Sequence, residues 1–331
     1  MNQATRNYNL SAFKGSKNVM RQNKNSPYKG IPPDKAQILY ELEKRRKQAN
    51  VLSSGFIGEK NLIYYCAFGA DYISLLEMSL KSISSATPFD VLIITDSPTK
   101  KMICSLECIS QRNILFHEVE SPIDGVEASM KKLEIFDFKN INEYKRILFL
   151  DADIICVGEI SKLFLEEPDN FFHAKRSPIL NANSPQLIDV YKSCTITHSL
   201  AFFSATDLKL LKTNDLEIFN AGQFFFYNTL SMQNHFENIR WLANVWPSIY
   251  FFEQSFMNHY FVYGELVKYD LLDDIVAITT VKPAVSCAKD LYEKQHIDDT
   301  ALIHFAGTPT DGKNKYIFIL NYCKKHNIVC H

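Results

Sequence analysis

Two carboxylates separated by one small residue, Asp151-Ala152-Asp153, come directly after the apolar run Lys145–Leu150 (KRILFL). A buried strand of that kind ends at a sheet edge, so both acids emerge there together. Oxygen donors two residues apart suit a hard divalent cation that also takes phosphate oxygens and water. A turn or a capping pair has the same spelling, and the surroundings must decide between the two uses. Four further segments bear on it. Lys132, in Lys132-Leu133-Glu134-Ile135-Phe136, offers a cation ahead of the strand, or else a solvated helix lysine. Phe219-Asn220-Ala221-Gly222 opens the apolar run Phe224–Tyr227 and reads as a close backbone approach to a ligand or as a plain turn. Glu253-Gln254, with Asn258 one helical turn on, supplies an acid and amides beside an aromatic helix, where the acid also suits a helix N-terminus. His304 stands in the apolar segment Ala301–Ala306, ahead of Gly307, Lys313 and Lys315; taken alone, such a histidine is more often structural than a ligand.

Hydrophobic periodicity shows which elements must position these groups. Asn61–Cys66 reads as a buried strand, Tyr72–Ile83 as a helix with Leu75, Leu76, Met78, Leu80 and Ile83 apolar, and Phe89–Thr95 as a second strand. Residues 98–110 read as helical, Asn113–Val119 as a third strand, Glu127–Phe138 as a helix and Lys145–Leu150 as a fourth strand. Strands alternating with helices imply an α/β fold with a mostly parallel, Rossmann-like sheet flanked by helices, whose ligand sites lie at the carboxyl ends of the strands. That rule points to Ala67–Tyr72, Thr95-Asp96 and Asp151–Asp153.

Over 331 residues, 46% hydrophobic and 22% charged residues exclude a disordered or fibrous chain. No apolar run approaches the ~18 residues of a membrane span, and MNQATRNYNL lacks the apolar segment of a secretory leader, so neither a span nor that export route is expected. Eight cysteines without regular spacing, Cys104/Cys108 and Cys323/Cys330 being the close pairs, argue against a disulfide framework and a zinc ribbon and predict reduced thiols in the cytoplasm. The net charge of −1 hides an asymmetry: residues 1–60 hold twelve Lys and Arg against four Asp and Glu, leaving 24 against 33 in the rest. Residues 1–33 read as a mobile basic arm with no specific nucleic-acid role. Residues 34–60 read as a helical extension, with Asp34 as N-cap, Ile38, Leu39 and Leu42 on an apolar side and Lys44–Lys47 at a basic end, packing on the main domain or on a partner. A single catalytic domain is expected over 61–320, followed by a tail, 321–331.

Taken in order, these motifs resemble the family-eight retaining glycosyltransferases, the glycogenin and lipopolysaccharide galactosyltransferase group with the GT-A fold. The segment Tyr144–Phe164, containing Asp151-Ala-Asp153 and Gly158, carries the resemblance best. Tyr72, Lys81-Ser82, Lys132-Leu133, Phe219–Gly222, Gln254 with Asn258, and His304-Phe-Ala-Gly307 continue it across roughly residues 61–318; residues 1–60 lie outside it. The resemblance implies Mn²⁺, or Mg²⁺, held by Asp151, Asp153 and His304, against the structural reading of that histidine. It implies a UDP-hexose donor, UDP-glucose or UDP-galactose, with uracil at Tyr72 and the Ala67-Phe68 edge. Lys132 and Lys313, beside Gly307, would meet the diphosphate, and Ala152, Asn220, Ala221 and Gln254 the ribose and donor sugar. Gln254 would stabilise the oxocarbenium-like sugar, and Glu253 would serve as a sugar-side or acceptor-side carboxylate. The acceptor, whether carbohydrate, glycolipid or protein, and the oligomeric state are not legible.

The chain departs from the family pattern at three places. Gly69 stands where an acid usually precedes the uracil-side tyrosine, Thr310 replaces the expected lysine after the histidine motif, and Glu253 replaces an aspartate. The 66 residues between Asp153 and Asn220, with His173, Lys175, Arg176 and Asn181-Ala-Asn183, are expected to shape the acceptor side. Two other readings compete. A haloacid-dehalogenase-type phosphatase also ends a strand in Asp-x-Asp and would take Leu271-Leu-Asp273-Asp274 as a later acidic motif, although its catalytic strand opens its fold. A nucleotide-sugar-binding protein without turnover is the other.

Overall fold

The structure, a computed structural model, describes residues 33–53, 55–83, 89–110, 113–176, 217, 219–245, 253–280, 300–306 and 312–328. Residues 1–32 of the expected arm, the Asn181–Asn183 segment and Gly307 lie outside them.

Helix α1 spans Pro33–Asn50 and β1 Lys60–Cys66; a 3-10 turn at Ala70–Tyr72 leads into α2, Ile73–Ser82. Then come β2 (Asp90–Thr95), α3 (Ser97–Ile103), α4 (Glu107–Ser110), β3 (Ile114–Glu118), α5 (Gly125–Met130), β4 (Tyr144–Leu150), β5 (Ile154–Cys156) and β6 (Phe172–Arg176). The remainder is β7 (Phe219–Tyr227), α6 (Leu230–Val245), α7 (Glu253–Tyr263), β8 (Val267–Lys268), α8 (Asp270–Asp273), β9 (Val276–Thr280), β10 (Leu302–Ala306) and α9 (Gly312–Lys325). A seven-stranded sheet has the order β3-β2-β1-β4-β7-β6-β8, and β5-β10-β9 form a second, three-stranded sheet. Strands β3, β2, β1 and β4 run parallel, β7 is antiparallel to both β4 and β6, and β8 returns parallel to β6. The expected mostly parallel sheet is therefore present, with an antiparallel step at β7.

Strands such as Leu62–Tyr65 and Phe224–Tyr227 are buried along their whole length because both faces of the sheet are covered, the reason parallel strands lack a polar alternation. One face, with Leu62, Tyr64, Ile147, Phe149, Phe224 and Phe226, packs against α1, α6 and α7 through Leu42, Phe236, Met257 and Phe261. Aromatic rings dominate it: Phe172 stacks on Phe261 at 4.1 Å and Phe149 on Phe224 at 4.8 Å. The other face, with Ile63, Tyr65, Leu148, Leu150 and Phe225, meets α2, the small sheet and α9.

Several expectations shift in detail. Helix α1 begins at Pro33, whose fixed φ suits a first turn, so Asp34 lies within the helix and is not its cap. Ala36, Leu39, Leu42 and Ala49 are buried on one side of α1, which packs on this domain and so decides between the two docking alternatives. Its basic end is not merely solvated: Arg45 lies 4.4 Å over Trp241 and Arg46 5.2 Å over Tyr260. The helix expected over Glu127–Phe138 is α only to Met130 and 3-10 over Lys131–Asp137, where Lys131, Lys132, Leu133 and Ile135 are all buried, more than one helical stripe admits. The tail boundary expected at residue 320 falls inside α9. Cys323 on that helix is disulfide-bonded, against the expectation of reduced thiols, whereas Cys66, Cys104, Cys108 and Cys156 are free.

Candidate active site

Asp151 and Asp153 join the two sheets. The Asp151 N–H continues the β4–β7 ladder onto the Gly222 carbonyl (2.7 Å), while the Asp153 carbonyl accepts from the Phe305 N–H of β10 (3.1 Å). Antiparallel pairing of β5 with β10 sets His304 opposite Ile154, next to Asp153. One ligand atom from each of Asp151, Asp153 and His304 lies within 4.8 Å of the others, the single such three-residue cluster among the described residues. His304 Nε2 stands 3.4 Å from Asp153 Oδ1. Asp153 Oδ1 and His304 Nδ1 are buried, and neither makes a geometrically sound hydrogen bond. An unsatisfied carboxylate oxygen in a set of two carboxylates and an imidazole fits a divalent ion such as Mn²⁺ or Mg²⁺.

Gly222 explains the Asn-Ala-Gly signal. A β-carbon there would lie 2.2 Å from His304 Cε1 and 2.8 Å from Asp151 Oδ2, so the close approach is to side chains of the cluster itself. Asn220 Oδ1 accepts from the Gly222 N–H at 2.8 Å and holds the turn. Helix α7 is fastened to the same stretch: Gln254 Oε1 accepts from the Ala221 N–H (3.0 Å), and Asn258 takes both the N–H and the carbonyl of Phe219 (2.9 and 3.0 Å). The spacing of Gln254 and Asn258 is thus that of a clamp, which sequence reasoning did not see.

Lys132 is buried with its ammonium 2.5 Å from Glu253 Oε1, 3.3 Å from Asp151 Oδ1 and 3.2 Å from the Ala221 carbonyl, above the Phe149 ring. Burial would lower its pKa, but Asp151 and Glu253 outweigh that and raise it. Burial, opposed by Lys132 and reinforced by the Asp153 charge, lifts Asp151 to about 6. Asp153 is also buried, yet Lys315 and His304 together hold its carboxyl well below the usual range. Lys315, on the first turn of α9, makes an ion pair with Asp153 Oδ2. Lys313, two residues earlier, is exposed to solvent. Helix α9 reaches this place because Gly312 sits against the Asp71 carbonyl, where a β-carbon would come within 1.7 Å of the oxygen.

Tyr72, 40% exposed, feels the charges of Lys315, Asp153 and Asp151, its phenol raised by burial with Lys315 opposing. Ala67 is buried and Phe68 half-buried; the Ala67 carbonyl accepts from Thr95 Oγ1 at 2.7 Å. Gly69 has φ 80° and donates to Thr99 Oγ1 at 2.8 Å, so the place of the missing acid is a left-handed turn pinned to α3. Asp96, on a strand end marked for chemistry, caps α3 by accepting from Thr99 N–H at 2.9 Å. Lys81 pairs with Glu77 near the surface, and Ser82 accepts from the Cys156 N–H. Asp273 receives the Arg176 N–H and pairs with its guanidinium, far from the role a phosphatase reading requires. No described helix is long and apolar enough to cross a membrane.

Galactinol synthase 7 of Arabidopsis thaliana is 26% identical over 227 residues, 63% of this chain and 63% of that protein. Galactinol synthase 1 of Ajuga reptans is 25% identical over 224 residues, 61% of each. The chain thus spans less than two thirds of the length of these curated relatives. Among solved structures, galactosyltransferase LgtC, in complex with donor and acceptor sugar analogs, superposes with a TM-score of 0.51 at 14% identity, over 78% of this chain and 95% of that one. Mouse xyloside xylosyltransferase 1 gives 0.50 at 12%, over 76% and 99%. At such identities the likeness concerns the fold, which is of the GT-A type. The sequence model of glycosyl transferase family 8 matches residues 66–310, about three quarters of the chain, from the end of β1 to beyond β10 and through every member of the cluster. This chain belongs to glycosyl transferase family 8.

Proposed function

We propose that the protein is a metal-dependent retaining hexosyltransferase that moves glucose or galactose from its UDP conjugate to a carbohydrate, glycolipid or protein acceptor. The observation that carries this reading is the convergence of Asp151, Asp153 and His304, from two sheets, around the bare backbone of Gly222. Mn²⁺ or Mg²⁺ bound there would neutralise charge on the departing diphosphate as a Lewis acid. The chain's own groups do the rest. Lys132 keeps Asp151 and Glu253 fixed relative to each other before substrate arrives, which lowers the reorganisation needed during reaction. Gln254, whose side-chain oxygen accepts from the Ala221 N–H, would stabilise positive charge developing on the donor sugar through the second lone pair of that same oxygen. Glu253 is a weak nucleophile while held 2.5 Å from an ammonium, which supports acceptor attack from the face the diphosphate leaves. Tyr72, with the Ala67-Phe68 edge, would carry the uracil, and Ala152, Asn220 and Ala221 the ribose and sugar. For the diphosphate, buried Lys315 is the better-placed partner than exposed Lys313.

The test is release of nucleoside diphosphate from a panel of nucleotide sugars, with and without Mn²⁺ and without acceptor. Slow, metal-dependent release from one UDP-hexose is expected. Release from none, with Mn²⁺-dependent UDP binding intact, would leave a binding protein; no binding either would remove the reading. A cytoplasmic setting rests on the free thiols Cys66, Cys104, Cys108 and Cys156, and the Cys323 disulfide stands against it. Titration of the unreduced, denatured protein decides, with all eight thiols expected for a reducing compartment.

A further inference from the structure

The cluster already contains a cation. Lys315 Nζ is paired with Asp153 Oδ2, so one of the two carboxylates proposed to hold the metal has an ammonium on it. Both side chains are nearly inaccessible, which prevents water from screening the pair. Charge balance sharpens the point. Asp151, Asp153 and Glu253 contribute three negative charges, and Lys132 and Lys315 two positive ones, so the apo cluster carries a formal −1. Without Lys315 it would carry −2, the complement of a divalent ion. The two lysines differ in how they are held. Lys132 has three partners, Asp151, Glu253 and the Ala221 carbonyl. Lys315 has Asp153, with the Asp151 charge and the Tyr72 phenol as weaker neighbours, and it springs from the first turn of α9 beside Tyr72. A lysine with a single strong partner next to the nucleotide side can exchange that partner for another anion.

Resting on the proposed metal site, we infer that Lys315 is a built-in competitor of the divalent cation and couples metal binding to nucleotide binding. In the empty protein the ammonium neutralises Asp153 and weakens metal binding. A nucleoside diphosphate offers it a second anion, and its transfer there frees Asp153 for the metal. Metal and nucleotide then each strengthen the other by the same factor, as thermodynamic reciprocity demands.

The experiment measures Mn²⁺ binding to the full chain by loss of the free-ion electron spin resonance signal, with and without saturating UDP, the Mn²⁺ complexed by UDP alone being subtracted from a protein-free control. Wild type is expected to bind Mn²⁺ at least about tenfold more tightly with UDP than without, within the usual range of coupling. Lys315→Met, which keeps the stem and removes the charge, is expected to bind Mn²⁺ alone about tenfold more tightly than wild type and so to gain correspondingly less from UDP, keeping the part that direct contact of ion and diphosphate supplies. Lys315→Arg should restore the coupling, and Lys315→Gln repeats the test should the methionine variant melt early. Mn²⁺ binding alone that is no tighter in folded Lys315→Met and Lys315→Gln, while Asp153→Asn still abolishes it, would overturn the inference and leave the metal site standing. Absence of Mn²⁺ binding in every form, with UDP present, would overturn the metal site and the inference with it.

Discussion

The Cα of Gly222 faces the imidazole of His304 so closely that a single added carbon would stand 2.2 Å from Cε1. The backbone has little room to retreat, because the Gly222 carbonyl is bonded to Asp151 N–H and its N–H to Asn220. Gly222→Ala should therefore displace His304 and Asp151 instead of the strand. We expect a loss of about 1–3 kcal/mol in stability, the usual cost of overpacking, and a Mn²⁺ affinity lower by about tenfold or more. Denaturant melts and metal titration check both; unchanged metal affinity in the folded variant would separate Gly222 from the cluster.

Lys132 and Glu253 form a buried ion pair that also steadies Asp151. Removing one partner leaves an uncompensated charge out of water, which typically costs about 3–5 kcal/mol. Lys132→Met is expected to fall in that range, and Lys132→Met with Glu253→Gln to cost less than the two single changes added together. A double-mutant cycle from urea unfolding reads the coupling directly. Strict additivity would show that the two groups do not sense each other.

Gln254 has one oxygen with two duties, to the Ala221 N–H and, as proposed, to the donor sugar. Gln254→Met removes that oxygen at nearly the same side-chain length and adds no charge. Turnover should fall by about tenfold or more while UDP binding in Mn²⁺ stays within about threefold, the pattern of a group that acts in the transition state. Equal losses in both would make Gln254 a binding residue alone.

The parallel core was legible because each of its strands is apolar throughout and bounded by polar turns, and Asp151-Ala-Asp153 could be placed at a carboxyl edge on that ground alone. The site's internal wiring was not. Lys132 reads as a cation for the diphosphate or as a solvated helix lysine, and not as the partner of Asp151 and Glu253, because those are brought to it by β4 and α7 and no local spacing records that meeting. Lys315 was passed over for Lys313 for a related reason. Both follow a glycine-bearing loop, and only the docking of Gly312 on the Asp71 carbonyl decides which one turns inward. Asp96 shows the opposite error, since a strand-end acid was as good a candidate for chemistry as Asp151 until Thr99 claimed it as a cap.

Helix α1 lies outside the family match yet packs on α6 and buries Leu39 and Leu42 in the core cluster on that side of the sheet. Residues 1–32, by contrast, contain no acid and few large apolar groups, and from composition we expect them to add nothing to the core. Truncation to residue 33 should leave the melting temperature within about 2 °C, whereas Leu42→Ala should cost about 2–5 kcal/mol as a buried large-to-small change. Calorimetry of the two proteins distinguishes them. A large fall on the first truncation would assign the arm a structural role.

Where α1, α6 and α7 meet, two histidines are buried in neutral form. His235 has Nδ1 3.0 Å from the Tyr260 hydroxyl and Nε2 3.1 Å from Ser231 Oγ; burial, helped by the Arg46 charge, pushes its pKa down to about 4. The same causes in the same order take His259 to about 3. In the unfolded chain both titrate near 6.5. Between the folded and unfolded values the unfolded state binds more protons, so stability rises with pH there and their contribution is complete above about 6.5. Lowering the pH from 6.5 to 4.5 should cost up to about 2.7 kcal/mol per histidine, two units at 1.36 kcal/mol each. Urea unfolding across that interval should show His259→Gln with a shallower decline than wild type, and His235→Gln likewise. Carboxylates held low, such as Asp169 at about 2, also lose stability in acid, so the difference between variant and wild type is the quantity that answers. Parallel declines in all three proteins would place the acid sensitivity in the carboxylates and remove the histidines from it.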